Sequence, residues 1–171
     1  MHTDWAGVMN LSVGGPEDKL LARMVDAAIK KGIAVVSAAG NDGPSGKPSY
    51  PAAFKGVIAV TAVDAESHLY PQATRGSYVS LAAPGVDILS TGPGNKTQAF
   101  SGTSAATAFA SGAVALLLQQ RPNLTQTELQ TLLEQTAKNL GVRAPDPGFG
   151  YGLLDACRAM AKMTNRQSSC R

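Results

Sequence analysis

Val8-Met9-Asn10-Leu11-Ser12, then Leu20 through Ile29, then Ile33-Ala34-Val35-Val36-Ser37-Ala38-Ala39: these three stretches decide the fold class. The first is a short apolar run that Gly14-Gly15-Pro16 breaks, with Pro16 opening a helix. In the second, Leu20, Leu21, Met24, Val25, Ala28 and Ile29 recur at the helical period. Glu17 and Asp18 suit the positive end of that helix, Lys30 and Lys31 occupy its last turn, and Gly32 stops it. The third is a β-branched run leading into Gly40-Asn41-Asp42-Gly43-Pro44, whose composition is that of a turn or loop. Strand, helix, strand is a βαβ unit. Such units build parallel sheets with helices on both faces and gather binding groups at the C-terminal ends of the strands. The expected fold is a three-layer α/β domain with a mostly parallel sheet.

Working outward, Val57–Val63 reads as another buried strand and Val79–Ala82 as further extended structure. Val86–Ser90 and Gln98–Phe100 form a hairpin around Gly92-Pro93-Gly94-Asn95. The longest helix starts near Thr103 and runs to about Gln120; it is apolar on nearly every side through Ala113–Leu118, which predicts burial. A further helix opens at Thr125, where Thr125 and Glu128 make a capping box and Leu124 with Leu129 a hydrophobic staple. Gly148–Gly152 introduces a last helix from Leu153. No internal repeat is visible. The domain is expected to span residues 1–163, with an unstructured tail over residues 164–171.

The bulk numbers bound the function. A length of 171 residues with 44% hydrophobic content suits one domain with a real core. Only 5% of residues are aromatic while 18 are glycine, which favours close helix-on-sheet packing. The formal charge of +3 is scattered; Arg158, Lys162 and Arg166 share a helical spacing that reads as a solvated face, so no nucleic-acid partner is expected. The longest apolar run falls far short of the ~20 residues of a membrane span. Met1-His2-Thr3-Asp4-Trp5 has neither a basic nor an apolar leader region, so no signal peptide is expected within this chain. Two cysteines are too few for a disulfide scaffold and lack metal-ligand spacing; Cys157 reads as a buried helix residue, Cys170 as tail, and no metal site is expected.

Chemistry concentrates in Phe100-Ser101-Gly102-Thr103-Ser104-Ala105-Ala106, which sets a serine at the start of the long helix beside a glycine that permits close approach. A helix N-terminus offers unpaired amides and a positive dipole, which favour an alkoxide and the oxyanion formed after attack. On these residues alone an ordinary N-cap serine and a nucleophile both stand. An α/β-hydrolase arrangement does not: its Gly-x-Ser-x-Gly elbow needs glycine at Ala106, and its triad order needs a histidine after Ser104, where there is none. Neither Gly14-Gly15 nor Gly148–Gly152 has the spacing of a dinucleotide fingerprint.

Gly102-Thr103-Ser104-Ala105-Ala106 resembles the nucleophile motif of the subtilisin-like serine proteases, and four more blocks agree in the family's order. Val8–Gly15 looks like the strand and glycine turn lining the substrate cleft, and Ala38–Gly43 like the oxyanion loop. Ala82-Ala83-Pro84-Gly85 looks like the block before the hairpin, and Gly150–Ala156 like the closing helix motif. The resemblance implies that Ser104 is the nucleophile and Asn41 the side-chain donor to the oxyanion. It implies that Leu11, Ser12, Val13, Gly14, Gly15, Ala38, Ala39 and Gly40 flank the pocket for the substrate side chain before the scissile bond. Tyr50-Pro51 falls where the family has a cis proline. The chemistry requires no cofactor, although the family leaves room for structural calcium, and family members are secreted, periplasmic or on the cell surface.

Two departures matter. Ala105, Ala108 and Phe109 stand where the family usually has methionine, proline and histidine, while Gly112 is retained. The family's aspartate turn and histidine helix start, both upstream of the matched blocks, do not occur in this chain. His2 precedes Thr3 and Asp4, and His68 sits in what reads as a surface turn. Without a base, a serine hydroxyl is a poor nucleophile. The chain is therefore expected to be the C-terminal half of a peptidase domain: inactive alone, partnered by an upstream half, and prone to self-association through an exposed sheet edge. The alternative is a fragment or pseudoenzyme that serves as a binding module.

Overall fold

The computed structural model describes residues 7–165. Four parallel strands, β1 (Val8–Leu11), β2 (Ala34–Ala38), β3 (Ile58–Val63) and β4 (Leu81–Pro84), lie side by side in that order. Val8 is opposite Ala34, Val36 opposite Ile58, and Val60 opposite Leu81. The period of two in β2 separates the layers. Val35 packs with Val25, Ala28 and Val57 under helix α1 (Lys19–Lys30) on one face. Ala34 and Val36 join Ile58, Val60, Leu81 and Ala83 on the other, beneath α2 (Thr103–Gln120), α3 (Gln126–Thr136) and α4 (Ala156–Thr164). This is the expected three-layer α/β arrangement. Every residue of β2 and β3 is buried, as strands covered on both faces must be.

Local chemistry sets the helix ends. Asp18 Oδ1 accepts from the Leu21 amide at 2.7 Å, so α1 opens at Lys19 rather than at Pro16. The Thr125–Glu128 capping box is complete, with Glu128 Oε2 accepting from the Thr125 amide at 2.8 Å. The next residue, Gln126, is buried, and its side chain mimics a peptide. Its Oε1 accepts from the Val35 amide at 2.9 Å, while Nε2 donates to the Val35 carbonyl at 2.9 Å and the Gly56 carbonyl at 2.7 Å.

Several boundaries differ from expectation. The last helix starts at Ala156, capped by Asp155, because Leu153 is taken up in bridges to Ala82 and Lys138. Strand β4 runs to Pro84, where the missing N–H costs nothing at a strand end. Cys157 is exposed on the first turn of α4 rather than buried, and it is held in a disulfide. Thr164 closes α4 and Asn165 caps it, while the rest of the expected tail, with Arg166 and Cys170, lies outside the described residues. The hairpin forms as expected from β5 (Ile88–Gly92) and β6 (Lys96–Phe100). Tyr50-Pro51 is cis. No helix among the described residues is long and apolar enough to cross a membrane.

The long helix is buried on one side only. Ala106, Ala110, Ala113, Val114 and Leu117 face the sheet, whereas Phe109 and Leu116 are 47% and 53% exposed. Its all-round apolar sequence predicted burial on every side; nothing among the described residues covers the second face.

Candidate active site

The loops after β1 and β2 and the start of α2 meet at the C-terminal ends of the strands. Helix α2 follows Gly102, whose φ of 147° suits glycine and whose missing side chain leaves the helix without a side-chain cap at that position. A residue from another loop supplies the cap. Asn41 Oδ1 accepts from the Thr103 amide at 3.0 Å and from Thr103 Oγ1 at 3.1 Å, and Thr103 Oγ1 in turn accepts from the Gly40 amide at 3.3 Å. These bonds lock the β2 loop to the helix start. They also fix the Asn41 amide: its oxygen is spent on Thr103, which leaves Nδ2 as the group available to donate.

Close backbone contact tightens the junction. Gly40 has a φ of 112°, and a Cβ there would stand 2.9 Å from Thr74 Oγ1, while the Gly40 carbonyl accepts from the Thr74 amide at 3.0 Å. Thr74 Oγ1 accepts from the Asp42 amide at 3.1 Å. Behind Gly102, its amide donates to the Gly85 carbonyl at 2.7 Å. From the other side, Ser12 Oγ donates to the Ser104 carbonyl at 3.2 Å. Ser12 Oγ accepts from Asn10 Nδ2 at 3.0 Å, and Asn10 Oδ1 accepts from Ser111 Oγ at 2.8 Å.

Between these elements lies a cleft of about 430 Å³. Ser104, half-buried at the second position of α2, and Asn41 share its wall with Ser12, Val13, Gly14, Gly15, Ala38 and Gly40. The Ser104 amide has no hydrogen-bond partner among the described residues, as befits the first turn of a helix. Two expected residues are not on the wall. Leu11 packs under α1, and Ala39 is fully buried, its carbonyl accepting from Tyr78 Oη at 2.7 Å. Burial pushes the Tyr78 phenol above its ordinary value and keeps it a neutral donor. Sequence reasoning missed Thr103, Pro16, Asp42, Lys47, Pro48 and Ser49 on the wall. Thr103 and Asp42 at least fell inside the blocks matched to the nucleophile motif and the oxyanion loop.

His68 is not on the cleft wall. Its Nδ1 lies 3.2 Å from Asp64 Oδ2 in an exposed turn. Asp64 Oδ1 accepts from the His68 amide at 2.8 Å and the Glu66 amide at 3.0 Å, and the first of these bonds above all holds its carboxyl below the ordinary range. Asp64, Glu66 and His68 bring ligand atoms within 4.8 Å of one another, but Asp64 is occupied in closing the turn. His2 lies outside the described residues.

The Subtilase family model matches residues 3–152. The chain is 43% identical over 149 residues to subtilisin of Bacillus pumilus, covering 85% of this chain and 52% of that protein. It is 43% identical over 138 residues to subtilisin E of Bacillus subtilis (strain 168), covering 78% and 36%. It is 38% identical over 158 residues to the minor extracellular protease Epr of the same organism, covering 88% and 24%. The chain belongs to the subtilase family of serine peptidases. It spans from about a quarter to about half the length of these relatives.

Proposed function

We propose that this chain is the part of a serine endopeptidase that carries the nucleophile and the oxyanion hole. Ser104 Oγ attacks the carbonyl carbon of a peptide bond, and the Ser104 amide with Asn41 Nδ2 holds the oxygen as it becomes an anion. The general base takes the Ser104 hydroxyl proton and passes it to the amide nitrogen; the C–N bond then breaks, the amine leaves, and the acyl-enzyme that remains is hydrolysed by water to a carboxylate and free Ser104. The observation that carries this reading is the pairing of Asn41 Oδ1 with Thr103, which leaves the amide nitrogen free beside the nucleophile's own helix turn. The peptide lies extended along Ser12–Gly15 and pairs by main-chain hydrogen bonds. The chemistry needs no cofactor, and structural calcium remains a proposal drawn from the family.

The general base and its orienting carboxylate come from an upstream half, whose motifs this chain lacks. Alone, the chain hydrolyses no peptide and self-associates through the outer edge of β1. A secreted or cell-surface setting is supported by the relative named as an extracellular protease and by the disulfide at Cys157.

Labelling with a serine-directed fluorophosphonate tests the reading. The isolated chain stays unlabelled; the chain with its upstream half labels at Ser104, and Ser104→Ala abolishes the label. Asn41→Ala in the completed enzyme lowers kcat about 10²–10³-fold, a size carried over from subtilisin itself rather than deduced from this geometry. Peptide hydrolysis by the isolated chain that depends on Ser104 would refute the missing base. A completed chain that never labels would leave a subtilisin-like binding module.

A further inference from the structure

Short ties run from the stretch 72–78 to the loop that carries Asn41. The Gly43 amide donates to the Gln72 carbonyl at 2.9 Å, and the Thr74 amide to the Gly40 carbonyl at 3.0 Å. The Asp42 amide donates to Thr74 Oγ1 at 3.1 Å, and Tyr78 Oη to the Ala39 carbonyl at 2.7 Å. Ala39, Gly40, Asp42 and Gly43 are thus held from this stretch. Asn41 between them is not: its main chain makes no hydrogen bond among the described residues. The neighbours on either side therefore set where the Asn41 side chain starts. Resting on the peptidase reading above, we propose that Thr74 is a positioning residue for the oxyanion hole: through Gly40 and Asp42 it holds Asn41 Nδ2 where the anion forms.

Thr74 differs from the other ties in what it grips and how firmly. It is bonded on both sides of Asn41, by its amide to Gly40 and by its hydroxyl to Asp42. It is fully buried, and its β-branched stem is stiff, so Oγ1 is a fixed acceptor. The loop packs directly on it: a Cβ on Gly40 would stand 2.9 Å from Thr74 Oγ1. The Gln72 tie is main chain to main chain and falls beyond Asp42. Tyr78 is half-buried and holds Ala39, whose amide is already anchored on the Val60 carbonyl at 2.9 Å.

The far end of the Asn41 side chain shows why its backbone needs an anchor. Oδ1 is fixed on the Thr103 amide at 3.0 Å, so a shift of the Asn41 backbone would pivot the side chain about that bond and re-aim Nδ2. Thr103 fixes the tip and Thr74 fixes the stem. With both in place the donor needs no reorganisation when the anion forms. A donor that meets charge only as it develops acts on turnover rather than on substrate binding.

The test is a double-mutant cycle in the completed enzyme. Thr74→Val keeps the branched shape and removes the acceptor; we expect kcat to fall about 10-fold with KM within about 2-fold, because a misaimed donor loses part of what a missing one loses. Thr74→Ser keeps the hydroxyl and holds kcat within about 2-fold of the wild type. In an Asn41→Ala background, Thr74→Val costs less than about 2-fold, since the donor it aims is already gone. A loss of about 10-fold in that background, a rise in KM at unchanged kcat, or a serine variant as slow as the valine one overturns the assignment and leaves the peptidase reading intact. If the completed wild type neither cleaves peptide nor labels at Ser104, the peptidase reading fails instead, and hydrogen exchange of this chain decides the positioning. Exchange of the Thr103 amide about 10-fold faster in Thr74→Val, with the β3 amides unchanged, supports it. An unchanged Thr103 amide, or equal acceleration throughout β3, overturns it.

Discussion

Among the described residues the sheet is closed along β4 by the chain itself, whereas along β1 it is not. The Ala82 amide donates to the Gly152 carbonyl at 2.9 Å, the Leu154 amide to the Ala82 carbonyl at 2.8 Å, and the Tyr151 amide to the Ser80 carbonyl at 2.8 Å. The stretch 150–154 thus acts as a surrogate fifth strand. It fits because Gly150 and Gly152 take positive φ and lie against the backbones of Ser80 and Lys138, where no side chain would fit. The outer edge of β1 has no main-chain partner among the described residues. Helix α2 repeats the asymmetry, with Ala110 and Val114 buried on one side and Phe109 and Leu116 half exposed on the other. One flank has glycines where backbone meets backbone. The other keeps large apolar side chains in the open, as an internal surface would without its cover. In the proposed complete domain, the upstream half supplies that cover.

The largest expected effect comes from breaking the closed edge. Gly150→Ala sets a methyl against the Ser80 backbone in a left-handed conformation, and we expect a loss of about 3–5 kcal/mol in chemical denaturation. A change below about 1 kcal/mol would show that the surrogate strand is not needed. The open flank should respond in the opposite sense. Leu116→Gln should leave the stability of the isolated chain within about 0.5 kcal/mol but weaken capture of the upstream half about 10-fold or more, measured by titration. Equal binding by the variant would mean that this face is not covered. Hydrogen exchange separates the edges without mutation: the amides of β1 should exchange faster than those of β4 and slow when the upstream half is added.

The smallest effect lies away from both edges. Burial raises the Glu134 carboxyl above its ordinary value, although the Gln130 amide at 2.7 Å partly offsets this. A raised acid favours the folded state below its unfolded pKa and loses that contribution as pH climbs through the folded value. Glu134→Gln should therefore stabilise the chain slightly at neutral pH and give no gain in acid. Melting curves with the same offset at both pH values would contradict this.

What the sequence disclosed was mostly local. Thr125 and Glu128 announce their capping box because donor and acceptor lie three residues apart. Strand β2 shows itself because its apolar, β-branched residues stand together in one run. The latch between Asn41 and Thr103 was hidden, since its partners are 62 residues apart and neither is unusual in a loop or at a helix start. Ser104 and Asn41 emerged through resemblance to a family rather than from their own neighbourhoods. Leu153 was misplaced into a helix because the backbone bridges that recruit it, from Ala82 and Lys138, leave no mark on its flanking residues. The exposed side of α2 was misjudged for a related reason: apolar residues all round record what a helix is built to meet, not what is present to meet it.

Gln126 gives the molecule a chemical lifetime as well as a shape. Its nitrogen donates to two carbonyl oxygens in a largely buried site at the edge of an open cleft. Hydrolytic loss of that amide would put an anionic oxygen where two acceptors already point, with no donor left to hold them apart. The folded state holds in place the bond on which it depends, and that bond is most open to attack while the base of the sheet is open. Each excursion toward unfolding would thus advance a slow, irreversible clock, one that the hydrogen bonds of a single side chain help to hold back.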